Sequence, residues 1–129
     1  MEKLFLAMQL TLPCVPESFA EHPGIIEVIC DENVEMVEGF AFRGCTSLRR
    51  VIMRGVKVVE WYAFEYCKAL TDVECDKLAR IGREAFDCCY SLRSINLPST
   101  RIVKDSAFAN CTDLTDVKFG KELDIIIAG

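Results

Sequence analysis

The chain repeats itself every 22 residues. Laid on itself at that shift, the sequence aligns "AFRGCTSL" (41–48), "AFEYCKAL" (63–70), "AFDCCYSL" (85–92) and "AFANCTDL" (107–114). The register continues through "LRRVIM", "LTDVEC", "LRSINL" and "LTDVKF", and an apolar residue (Val59, Ile81, Val103, Ile125) opens the unit that follows each. A more degenerate copy, "SFAEHPGIIEVIC" (18–30), sets Phe19 against Phe42, His22 against Cys45, Ile25 against Leu48 and Val28 against Val51 at a period of 23. Five units of 22–23 residues therefore occupy 14–124, preceded by an N-terminal capping segment at 1–13 and followed by the start of a truncated sixth unit at 125–129. Periods of this size mean a solenoid, and no second domain is left over.

A unit this short cannot enclose a core by itself and must lay its apolar columns on those of its neighbours. The columns read directly: Phe19, Phe42, Phe64, Phe86, Phe108; Ile25, Leu48, Leu70, Leu92, Leu114; and Val28, Val51, Val73, Ile95, Val117. The third is β-branched throughout and sits in segments that alternate in and out, as a strand requires. The Ala, Phe, Cys, Leu spacing of "GREAFDCCYSL" instead reads as a helical or 3₁₀ turn. The expected fold is an α/β repeat solenoid of the leucine-rich class. It is right-handed and short, with a parallel sheet of about five rungs and short helical or 3₁₀ turns.

At "IGREAFDCCYSLRSINLP" (81–98) the sequence resembles the BspA-type leucine-rich repeat, whose pattern is roughly I-G-x-x-A-F-x-x-C-x-x-L-x-x-I-x-L-P. The likeness runs through all five units. It implies a conserved-shape scaffold with variable exposed positions, a protein-binding role of the adhesin kind, and a cell-surface or secreted location.

Eight cysteines raise the question of metal or redox chemistry. Cys45, Cys67, Cys89 and Cys111 share one column, with His22 at its end, and Cys75 shares the strand column of Met53, Leu97 and Phe119. One ligand per rung spreads thiols along a line, whereas zinc needs four converging on a point, and the spacing offers no C-x-x-C pair. In-register rungs also sit slightly too far apart for an unstrained disulfide. These cysteines read as buried, reduced thiols packing as small hydrophobes. Cys88, aligned with Gly44, Tyr66 and Asn110, is the one expected to look outward and to react if any thiol does.

Enzymatic readings find little else. The chain has a single histidine, no glycine-rich phosphate loop and no G-x-S-x-G elbow, so no catalytic residues, cofactor or metal are expected. A net charge of −5 argues against nucleic acid, which needs a positive footprint. No apolar run reaches the length of a membrane span. In "MEKLFLAMQLTLPC" Glu2 cancels Lys3 and Pro13 stands where a cleavage site wants a small residue, so the segment reads as a capping strand, with Leu12 and Pro13 echoing Leu97 and Pro98. The cysteine ladder favours a reducing compartment and the resemblance a surface, so location stays open.

Function must then lie on exposed positions. The outward strand residues form two columns, Glu27, Arg50, Asp72, Ser94, Asp116 and Ile29, Ile52, Glu74, Asn96, Lys118. Ile29 beside Ile52, flanked by Arg50 and Arg54, makes an apolar spot with a basic rim, which suits a protein contact; the alternative is a solvated sheet with weak charge pairs. A second candidate is aromatic: Phe40 and Tyr62 align with Glu84 and Ser106, and Trp61 aligns with Arg83 and Asp105. Those rings either meet a partner or pack over the N-terminal cap. The expected function is a non-catalytic protein–protein interaction module with a protein partner of unknown identity. The alternative is a structural segment of a longer solenoid with no binding face of its own. The short tail leaves the last rung uncovered, which predicts self-association through the C-terminal end.

Overall fold

The structure, a computed structural model, describes residues 2–6, 14–121 and 123–126. Each unit crosses two parallel sheets. The first contains β1 (Glu2–Leu6), β3 (Ile25–Cys30), β5 (Arg50–Ile52) and β7 (Asp72–Glu74), and β9 (Ser94–Leu97) pairs separately with β11 (Asp116–Phe119) on the same side of the unit. The second is an unbroken stack of two-residue strands: β2 (Cys14–Val15), β4 (Met36–Val37), β6 (Val58–Val59), β8 (Arg80–Ile81), β10 (Ile102–Val103) and β12 (Ile125–Ile126). The unit-opening residues of the sequence are thus a sheet of their own, and the five-rung sheet of the β-branched column is divided between β7 and β9.

The segments expected to be helical or 3₁₀ are neither. In "GREAFDCCYSL" the backbone N–H groups alternate in destination. Those of Ala85, Asp87 and Cys89 close short turns onto Gly82, Glu84 and Phe86, while those of Glu84, Phe86 and Cys88 reach across to Asp105, Ala107 and Ala109 of the next rung at 2.8–3.1 Å. A helix would spend every N–H within its own segment; here half of them hold rungs together, and the fold is a β-solenoid. The alternation demands a left-handed residue on either side of Phe42, Phe64, Phe86 and Phe108, and one after Phe19. Phe40, Tyr62, Glu84 and Ser106 have φ of 52–64°, and Glu21, Gly44, Tyr66, Cys88 and Asn110 have φ of 57–72°. Such angles are uncommon for residues other than glycine. Because they recur in successive units, they belong to the architecture and mark no special site.

Inside, the columns stand as the sequence indicates. Neighbouring phenyl rings of Phe19, Phe42, Phe64, Phe86 and Phe108 stack with centroids 5.2–5.6 Å apart and planes within 14°. Leu48, Leu70, Leu92, Val28, Val51 and Ile95 are buried, whereas Phe108, Leu114 and Val117 of the last rung are only partly covered. Further inward columns join them: Ala41, Ala63, Ala85, Ala107; Val34, Val56, Leu78, Thr100; Val15, Val37, Val59, Ile81, Val103 of the second sheet; and Cys30, Met53, Cys75, Leu97. Thr100 satisfies its hydroxyl on the Leu78 carbonyl at 2.7 Å.

The cysteine column has a specific task. Cys45, Cys67, Cys89 and Cys111 each donate S–H to the phenylalanine carbonyl of the preceding rung, at 3.1, 3.2, 3.3 and 3.1 Å. The carbonyls of Phe42, Phe64 and Phe86 also accept an N–H from the cysteine of their own turn, so both lone pairs are used in an interior without water. A leucine would fill the space and leave half of each acceptor unmet. His22, aligned with this column, instead sits at the half-exposed end, where Nδ1 accepts the Gly24 N–H at 3.2 Å.

Burial pushes Cys45 up to about 11 and Cys30 and Cys75 up to about 12, and holds Cys67 well above the ordinary thiol range. Cys88 does not look outward. It is 6% exposed, donates to Asp87 Oδ1 at 3.3 Å, and is raised by burial, because Asp87, Tyr90 and Asn110 close over it. Partly exposed Cys111 is the thiol held below the usual range, because on its ionisation the Cys89 S–H can turn to it from the Phe64 carbonyl, and fully buried Cys89 is itself raised.

At the ends, β1 adds to β3 with Leu4 opposite Val28; the proposed echo at Leu12 and Pro13 lies outside the described residues, as do 127–129 of the tail. Ile126, rather than Ile125, faces Val103, because the last unit is one residue longer than 22. Leu123 packs against the core just before that strand.

Two outcomes follow. Phe64→Ala removes the middle ring of the stack and should cost about 3–5 kcal/mol in a denaturant titration; a melt like that of the unaltered chain would contradict the assigned column. In the folded protein near pH 8, an aromatic disulfide reagent should modify Cys111 first and Cys88 only on unfolding. A fast phase that survives Cys111→Ser would overturn this ordering.

Candidate functional site

The outer face of the first sheet is built by strand alternation. With Leu4, Val28 and Val51 turned inward, two rows run across the strands outside: Lys3, Glu27, Arg50, Asp72 and, beside it, Phe5, Ile29, Ile52, Glu74. The first row alternates in sign and is zipped by ion pairs, Lys3–Glu27 at 3.6 Å, Arg50–Glu27 at 3.6 Å and Arg50–Asp72 at 3.0 Å. The second is apolar until Glu74 ends it. Phe5 is 68% exposed, and Ile29 and Ile52 are half-buried between their neighbours.

The basic rim of the sequence reading is present but engaged. Arg50 and Arg54 both grip Glu74, at 3.1 and 3.0 Å, and their hydrogen bonds, Arg54 first, hold the Glu74 carboxyl below the usual carboxylate range. Phe5 and Lys3 were not among the sequence candidates, because β1 pairs at a spacing of 24, outside the repeat. The alternation of "KLF" was the available signal.

The aromatic candidates lie elsewhere, on the turns that follow the second sheet. Phe40 and Tyr62 stack on each other with centroids 5.0 Å apart and planes 2° from parallel, half-buried. Burial and a hydrogen bond to Glu84 push the Tyr62 phenol up. Trp61 is 50% exposed and folds back over Gly39, whose lack of a side chain makes room for it: a Cβ there would collide with the indole Nε1. Between them opens a concavity of about 560 Å³ lined by Glu17, Met36, Glu38, Gly39, Phe40, Glu60 and Trp61. The structure thus unites Phe40 with Tyr62 and Trp61, and keeps them apart from the row of Ile29, Ile52, Arg50 and Arg54.

One group of carboxylates converges. Oxygens of Glu65, Glu84 and Asp87 lie within 4.8 Å of one another. Each already serves a protein donor: Arg43 for Glu65, the Tyr62 phenol for Glu84, and Asn110, at 3.0 Å, for Asp87. Arg43 also lies over the Tyr66 ring at 5.8 Å. The group braces successive rungs. Among the described residues no helix is long and apolar enough to cross a membrane.

Comparison with known proteins agrees with this geometry. A leucine-rich repeat protein from Bacteroides ovatus superposes with a TM-score of 0.77 at 28% identity, over 90% of this chain and 32% of its own. A leucine rich cell surface protein from Faecalibacterium prausnitzii gives 0.69 at 26%, over 98% and 33%. The T. pallidum leucine rich repeat protein gives 0.65 at 21%, over 97% and 65%, a likeness of fold. The chain therefore spans about a third of the first two. No curated protein matches. The BspA type leucine rich repeat region matches residues 15–128 in six copies, and with the stacked two-sheet rungs this establishes that the chain belongs to the BspA-type leucine-rich repeat family, whose solenoids generally serve as protein-interaction scaffolds.

Proposed function

We propose that the chain is a non-catalytic module, adhesin-like in role, that binds another protein through the outer face of its first sheet. The observation that carries this reading is the row Phe5, Ile29, Ile52: three apolar side chains in register on a face otherwise made of paired charges. An apolar centre with a polar rim is the anatomy of a protein contact. The rim here is already neutralised internally, so a partner need not strip an isolated charge of water. The description of the Faecalibacterium relative as a cell surface protein supports the adhesin-like role. A non-catalytic role is supported by a lone histidine whose Nδ1 is taken by the Gly24 amide and by the burial that pushes Cys30 and Cys75 up to about 12. Phe40, Tyr62 and Trp61 form a second contact region on a separate part of the rungs.

A structural reading rests on a different observation. Phe119 and Ile126 are 37% and 56% exposed on β11 and β12, the outermost strands of their sheets among the described residues. Apolar strand edges invite pairing with another chain, so this end is the proposed site of self-association.

Affinity capture from a native lysate tests the face. Ile52→Glu should abolish capture. Because Ile52 is half-buried and the new carboxylate would stand beside Glu74, a stability loss of about 1 kcal/mol is expected, and a thermal melt checks that the variant stays folded; undiminished capture would rule this face out. Light scattering over a concentration series tests the end. A mass that rises with concentration and falls back with Ile126→Lys supports pairing at β12, and a constant monomer mass refutes it.

A further inference from the structure

We propose that the concavity beside Trp61 is a receptor for a cationic side chain, a lysine ammonium or an arginine guanidinium, presented by a partner polypeptide. It does not depend on the sheet-face reading, with which it shares no residue, and it rests on the second contact region of Phe40, Tyr62 and Trp61, for which it names the group that enters.

The argument starts from Gly39. The column it belongs to runs Glu17, Gly39, Trp61, Arg83, Asp105 along successive rungs. Without a side chain at Gly39 the indole of Trp61 lies down over the backbone, forming one wall and leaving the space next to it open. Met36 and Phe40 supply further apolar wall, suited to the methylene stem of a long side chain. Among the described residues, Glu17, Glu38 and Glu60 are the charged groups of the lining.

Those three carboxylates differ from the many on this molecule that the chain pairs for itself. Glu27, Glu35, Glu65, Asp72, Glu74, Asp105 and Asp124 each have a lysine or arginine partner within 4 Å. Among the described residues no ion pair reaches Glu17, Glu38 or Glu60; the Cys14 thiol donates weakly to Glu38 Oε1 at 3.5 Å. Glu38 and Glu60 moreover follow one another in a single column, where the rung spacing sets like charge beside like charge.

Farther along the same columns the chain supplies its own cations. Arg83 takes the place of Trp61 and binds Asp105 at 3.1 Å, and Lys104 follows Glu38, Glu60 and Gly82. At the concavity the cation is missing and an aromatic ring stands in its position. An indole face attracts a cation within about 6 Å of its centroid, most strongly when the pair is partly shielded from water. Ring, stem wall and carboxylates together select a positive head on an apolar stem. A flat apolar ligand would leave the acids unmatched, and a bare metal ion would make no use of the ring.

Trp61 is the chain's single tryptophan, so its emission reports the site directly. The probes are acetyl-Gly-Lys-Gly-amide, its arginine and norleucine counterparts, and n-butylammonium chloride, titrated into the full chain. The lysine and arginine peptides should give saturable changes that weaken as sodium chloride is raised from about 0.05 to 0.5 M, since partly exposed charge pairs are screened over that range. The norleucine peptide should give none. Glu38→Gln with Glu60→Gln should weaken the lysine peptide by about tenfold, as loss of two charge contacts implies, with Glu60→Gln alone intermediate. Gly39→Ala, which keeps all three acids but displaces the indole, should also lose binding. Thermal melts confirm that each variant folds. Equal response to norleucine, an unchanged response in Glu60→Gln and the double variant, retention of binding in Gly39→Ala, or no saturable change at low salt would each overturn the proposal. Binding of n-butylammonium as tight as that of the lysine peptide would show a free-amine site and overturn the polypeptide assignment.

Discussion

The distance between rungs governs this molecule. Backbone hydrogen bonds between parallel strands fix it near 4.8 Å, and every side chain must then live directly above its own counterpart in the neighbouring unit. For phenylalanine this is favourable: flat rings offset-stack at 5.2–5.6 Å and fill the rung. For cysteine it puts a weak donor in reach of a carbonyl one rung back. For charges it is severe, because an identical residue in each unit would stack like on like. Lys3, Glu27, Arg50 and Asp72 solve the problem by alternating sign. Departures from that alternation are therefore informative in a way that a lone surface carboxylate is not.

The same spacing explains the strained turns. A 22-residue unit must reverse direction several times while still offering amides to its neighbour, and alternate amides can do so only if the residues on either side of the phenylalanine turn left-handed. The cost of bulky residues such as Phe40, Tyr62 and Tyr66 at positive φ is about 1–3 kcal/mol each. It is borne because the displaced amides, for instance Phe64 N–H on the Ala85 carbonyl at 2.8 Å, join one rung to the next. Coupling between units and local strain are two aspects of one arrangement, which is why isolated units of this kind do not stand alone.

Much of this was legible in the sequence because a repeat compares each position with its own copies. The phenylalanine, leucine and valine columns, and the cysteines as core, needed no more than that. Three features did not show. The Ala, Phe, Cys, Leu spacing fits a helix as well as it fits the laddered turns, since periodicity records which side chains point inward and not where the amides go. The second sheet contributes two residues per rung, too few to display alternation. Cys88 shares its column with Gly44, Tyr66 and Asn110, and only the side chains of Asp87, Tyr90 and Asn110, brought over it by the turn, bury it. At the candidate sites, Ile29, Ile52 and Trp61 stand out as exposed positions that break the pattern of their column. Phe5 was missed because it lies outside the period, and the pocket because its decisive residue is a glycine with no side chain to notice.

Gly39 shows how one rung of a repeat comes to differ from its neighbours. In a perfect solenoid each outward column would be a uniform stripe, with no place distinct from the next. A recognition site requires that one rung differ from its neighbours while the backbone stays in register, and the least disruptive way is to delete a side chain and let an adjacent one fall into the space. Trp61 over Gly39 does this without disturbing the neighbouring strands: Met36 and Val37 still pair with Val58 and Val59. The hydrogen bonds that hold the rungs are made by the backbone, so the outward columns are free to vary, and concavities of this kind can arise between any two units whose outward residues are unequal in size.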